Sequence, residues 1–89
     1  MSEARREHIE QKLRTRLEAQ HVEVVDESHL HAGHAGARDG RGHFSVKVVS
    51  EAFRGQRPIA RHRLVYDAMG TLMQTDIHAL VIDARAPGE

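Results

Sequence analysis

The apolar residues of this chain change period three times, and that ordering restricts the available folds more than any other feature. From Ser2 to about Ala19, Ile9, Leu13 and Leu17 recur every four residues, with Glu10 and Arg14 placed as an i,i+4 pair on the polar side. This is the pattern of an amphipathic helix. The period then drops to two: Val22 and Val24 alternate with polar neighbours in His21–Asp26, and Phe44, Val46 and Val48 alternate with Ser45 and Lys47 in His43–Val49. Both segments read as half-buried strands. Helical spacing returns from Ile59 to about Thr75 through His62, Val65, Tyr66, Met69, Leu72 and Met73. Gly70 is expected to weaken this second helix by about 1 kcal/mol relative to Ala without breaking it. Ile77–Asp83 is short, rich in branched residues and bounded by Asp76 and Pro87, which predicts a strand buried on both faces.

The order α-β-β-α-β specifies an α+β fold. The first two strands pair as an antiparallel hairpin, and the third, reached through a crossover helix, joins the second in parallel. Both helices then cover one face of a three-stranded mixed sheet. Two connections differ from simple turns. Glu27 to Gly42, with Gly33, Gly36, Gly40 and Gly42, is too long for a tight hairpin, and loops of that length tend to carry function. Glu51 to Pro58 reads as an irregular link with Gly55 as its turn residue and Pro58 near the next helix start.

The 89 residues fit one domain, 1–89, with a modest core. At 3% aromatic content, deep apolar ligand pockets are not expected. Thirteen Lys and Arg balance 13 Asp and Glu, so no whole-molecule field draws the protein to nucleic acid or membrane. No apolar run approaches the roughly 20 residues of a membrane span. Met1–Glu10 mixes Arg with Glu where a signal peptide needs an apolar stretch, so a cytoplasmic protein is expected.

The chain has no cysteine, which removes thiolate nucleophiles, disulfides and self-contained thiolate ligation of iron. It has eight histidines, and imidazole is both a neutral metal ligand and a group that titrates near neutrality. His29, His31 and His34 lie in the glycine-rich loop, whose backbone freedom lets side chains converge, although the same pattern fits a solvated polar loop. His78 opens the last strand on the expected face of Leu80 and Ile82 and reads either as a rigidly held ligand or as a satisfied core histidine. His62 is expected to bridge core and surface. Arg54, Arg57, Arg61 and Arg63 gather positive charge around a helix start, either as a docking patch or as a solvated polar face.

Taken together, Val24-Val-Asp-Glu-Ser28, His43-Phe44, Val48-Val-Ser50, Phe53-x-Gly55, Arg61-His-Arg-Leu-Val-Tyr66 and Ile77-His-Ala-Leu80 resemble BolA-like proteins in order and spacing across nearly the whole chain. The loop Ser28–Gly36 is similar to that of the branch with a histidine-rich loop. The resemblance implies an α-β-β-α-β fold close to class II KH domains, followed by a final helical segment that this chain carries at most as a stub. It also implies partnership with a monothiol glutaredoxin in iron-sulfur cluster assembly, trafficking or sensing. In that scheme a 2Fe-2S cluster is shared: the glutaredoxin cysteine and glutathione hold one iron, and two ligands of the BolA-like chain complete the other. By motif position these are His78 and His31, with His34 an adjacent candidate. The isolated chain, expected to be monomeric, would hold no cluster.

A KH-like nucleic-acid-binding regulator is the alternative. The connection after the second strand offers only Gly55 where a KH domain carries GXXG, and the net charge is +0. An enzyme is disfavoured by the lack of cysteine and of any nucleophile-base pairing.

Overall fold

A computed structural model of the chain describes residues 2–27 and 42–89. The elements run α1 (Ser2–Leu17), β1 (His21–Asp26), β2 (Gly42–Val49), a 3-10 turn (Glu51–Phe53), α2 (Pro58–Met69), α3 (Leu72–Thr75) and β3 (Ile77–Arg85). The sheet order is β1-β2-β3, with β1 antiparallel and β3 parallel to β2. The predicted α+β mixed sheet is therefore present.

Each element forms because its apolar residues share one side. Ile9, Leu13 and Leu17 of α1 are buried, and Glu10 bonds Arg6 at 3.2 Å and Arg14 at 3.1 Å on the polar side. Val22 and Val24 of β1 and Phe44, Val46 and Val48 of β2 point into the same core, which also takes Phe53, Val65, Ala68, Met69, Leu72 and Ile77. Ser50 is the buried polar joint of this core. Its hydroxyl donates to the Leu17 carbonyl at 2.6 Å and accepts from the Ala52 N–H at 3.1 Å, so it serves a helix-end carbonyl that has no partner inside α1.

Three expectations need correction. The second helix is not continuous to Thr75: Gly70 has φ 58 and ψ −131, its N–H caps the Tyr66 carbonyl at 3.2 Å, and a separate short helix follows. Only glycine takes that backbone conformation without strain, so the residue expected to weaken the helix ends it. The buried face of α2 is Val65, Ala68 and Met69, with Leu64 partly buried; His62 and Tyr66 are exposed. The strand β3 lies at the sheet edge with one side open, and Val81 is 63% exposed. A run of branched residues alone does not distinguish a strand covered on both faces from an edge strand.

Among the described residues no helix is long and apolar enough to cross a membrane.

Candidate functional site

The core requirement of β3 explains where His78 sits. Ile77 is fully buried, and Leu80, Ile82 and Ala84 pack partly buried against the same core. A strict two-residue period cannot place positions 77 and 80 on one face. The register solves this with a bulge: Gly42 pairs with Ile77 but His43 pairs with Ala79, so His78 is the added residue. His78 is exposed, which corrects the expectation that it shares the packed face of Leu80 and Ile82.

The bulge also brings His78 to a second imidazole. His43 precedes Phe44 on β2 and alternates with the core residues, so it belongs to the side of the sheet away from the helices. The rings of His43 and His78 have centroids 5.2 Å apart and planes tilted by 50°. Their backbones are pinned on either side: the Glu27 N–H donates to the His43 carbonyl at 2.8 Å, and the Gly42 N–H donates to the Asp76 carbonyl at 2.9 Å. His43 was not singled out as a site residue from the sequence. The spacing of Ile77, Leu80 and Ile82 demands an irregularity at His78 only once all three face one core, which is a property of the fold and not of the sequence.

His29, His31 and His34 lie outside the described residues.

The arginine patch divides. Arg61 donates to both carboxylate oxygens of Glu89 at 2.6 and 2.9 Å, to the Ala84 carbonyl at 3.1 Å and to the Gln56 carbonyl at 2.8 Å. Arg54 bonds Glu51 at 2.7 and 3.0 Å and the Pro87 carbonyl at 2.9 Å. Arg61 thus ties Glu89 to the first turn of α2, and Arg54 ties Pro87 to the 3-10 turn. Arg57 and Arg63 are exposed and make no ion pair among the described residues, which leaves them available for docking.

The open side of the sheet next to the two imidazoles is ordered in rows. Val25, Ser45 and Val81 form one cross-strand row, and Glu23, Lys47 and Asp83 form the next, with the charges alternating in sign. Val25 is 52% exposed. Two imidazoles and an exposed strand face therefore lie together at one end of the sheet. Among the described residues no group of three or more His, Cys, Asp or Glu is gathered for a metal ion.

Comparison with known proteins agrees with this architecture. The family described as BolA-like protein matches residues 13–89. The chain is 42% identical over 86 residues to "SufE-like protein 1, chloroplastic/mitochondrial" of Arabidopsis thaliana, covering 91% of this chain and 23% of that protein. It is 42% identical over 77 residues to "DNA-binding transcriptional regulator BolA" of Escherichia coli (strain K12), covering 86% of this chain and 70% of the relative. The solved BolA domain of SufE1 from Arabidopsis thaliana superposes with a TM-score of 0.82 at 38% identity, covering 94% of this chain and 93% of that one. The organellar name of the plant relative gives no support to the cytoplasmic expectation. A match that runs from Leu13 in α1 to Glu89, at this identity and with this agreement of fold, shows that the chain belongs to the BolA-like protein family.

Proposed function

We propose that this protein is a non-enzymatic partner of a monothiol glutaredoxin and completes a shared 2Fe-2S cluster through imidazole ligands, His78 first among them. The observation that carries this reading is the bulge, which takes His78 out of the core and holds it exposed beside a second imidazole at one end of the sheet. Bulges commonly re-aim side chains at functional sites.

The donor set fits such a cluster. With no cysteine, this chain offers imidazole ligands but no thiolate, and the thiolates would come from the partner and from glutathione. When bound, such a centre supplies electron transfer or an iron-sulfur unit for delivery, and imidazole in place of thiolate on one iron raises its potential. The chain's own part is to present His78 rigidly, to supply a second imidazole, for which the family resemblance nominates His31 or His34, and to offer a docking surface. Arg57 and Arg63 are the arginines available to that surface, alongside the open face of the sheet.

The test is to mix the purified protein with a monothiol glutaredoxin, iron, sulfide and glutathione and record the visible absorption and circular dichroism spectra. A spectrum distinct from that of the glutaredoxin alone, and lost with His78→Ala, is the expected result. An unchanged glutaredoxin spectrum would overturn the proposal.

One observation favours a second reading, a nucleic-acid-binding regulator: the Escherichia coli relative is named a DNA-binding transcriptional regulator. Duplex DNA binding whose affinity falls steeply with salt, in the absence of any mixed cluster, would select it.

A further inference from the structure

We propose that His43 and His78 form a two-imidazole site for a single tetrahedral metal ion, which makes His43, and not a loop histidine, the second ligand of the shared cluster. This rests on the function proposed above for the last step only; the pair itself is a property of this chain.

The geometry suits ligation. Metal–nitrogen bonds of about 2.0–2.1 Å at a tetrahedral angle place the centroids of two imidazoles about 5 Å apart. The observed separation is 5.2 Å, and the 50° tilt is far from a parallel stack. Ring contact at this distance also occurs between histidines that only pack, so the rest of the site has to favour one reading.

Three features favour ligation. The contact exists because of a bulge at one position, whereas regular pairing would place Ile77 and Leu80 on opposite faces. Both rings stand on strands whose ends are fixed by the Glu27-to-His43 and Gly42-to-Asp76 hydrogen bonds, and ligands on rigid elements keep their geometry better than ligands on loops. Chemically, the pair reproduces the donor set of a centre with two imidazoles on one iron.

The test begins with Co2+, whose visible bands report tetrahedral coordination, titrated into the isolated full chain without any partner. To remove competing loop ligands, the background carries His29→Ala, His31→Ala and His34→Ala together. We expect this triple variant to bind Co2+ with an affinity close to that of the unaltered chain. Adding His43→Phe or His78→Ala should each weaken binding by roughly tenfold or more. His43→Phe keeps an aromatic ring at the position and removes the ligating nitrogens, so it separates ligation from packing even if His43→Ala unfolds the domain. Undiminished Co2+ binding by the His43→Phe variant, or its loss in the triple loop variant, would overturn the pair.

The second arm repeats the mixed-cluster spectrum with a glutaredoxin. If the unaltered chain forms the cluster and His43→Phe abolishes it, the assignment of the second ligand holds. If the cluster survives His43→Phe, that assignment falls while the proposed function stands. If the unaltered chain forms no mixed cluster, the proposed function fails, and the assignment of His43 as a cluster ligand fails with it; the Co2+ titration alone then decides whether the metal-binding pair exists.

Discussion

The side chain of Arg61 shows how a residue that reads as surface charge can be structural. Its guanidinium grips Glu89 with both arms and also holds two backbone carbonyls. That hydrogen bond, followed by the one from the Ala86 N–H, pulls the Glu89 carboxyl from 4.5 down to about 2. A carboxylate whose folded value is depressed contributes stability in full above its unfolded value and loses it as pH falls through the folded one. The contribution of this contact is therefore complete above about pH 4.5 and disappears towards pH 2. Thermal unfolding of Glu89→Gln should show a lower melting temperature at neutral pH and a flatter dependence on pH across that window. The effect is small because the pair faces solvent. Identical pH profiles for the two proteins would remove the contact from the account.

Among the elements, the α2–α3 junction and the β3 bulge do the positioning. Gly70 sits at positive φ, and a Cβ there would meet only the Arg16 guanidinium, at 3.9 Å. Space is therefore not the constraint, and Gly70→Ala is expected to cost about 1–3 kcal/mol through backbone strain alone. Chemical denaturation should show a lower midpoint at unchanged slope. The bulge is stabilised by what it lets the core keep. Ile77→Ala should cost about 2–5 kcal/mol, as a fully buried branched residue, whereas Val81→Ala on the open face should fall within about 0.5 kcal/mol of the parent. Equal costs at the two positions would mean that the strand faces have been assigned wrongly.

At the scale of the whole molecule, helices cover one side of the sheet and leave the other open, so any partner that engages His78 meets the row Val25, Ser45 and Val81 beside it. Arg63 is exposed and makes no internal pair among the described residues, whereas Arg61 closes the last turn onto α2. Charge reversal at the two positions should consequently separate. Arg63→Glu is expected to weaken glutaredoxin association while leaving the melting temperature nearly unchanged, because surface charges act mainly on association. Arg61→Glu should lower the melting temperature as well. Calorimetry of both variants, alone and with the partner, checks this, and matched losses of stability at the two sites would return Arg63 to a structural role.

The sequence by itself determined the element order, the strand faces of β1 and β2 and the Glu10–Arg14 pair of α1. These are local matters: the period of the side chains and the backbone preference of each segment are written in consecutive residues. The break at Gly70 was local too, but a glycine inside a helical stripe is compatible with continuation or with termination, and packing of Met69 and Leu72 into one core selected termination. Only the tertiary structure decided that Arg61 belongs to Glu89, 28 positions away. It alone decided that His78 leaves the core face and meets His43, because that outcome depends on the register of β3 against β2. The competing demands of Ile77 and Leu80 on a single buried surface fix that register, and no run of consecutive residues contains it.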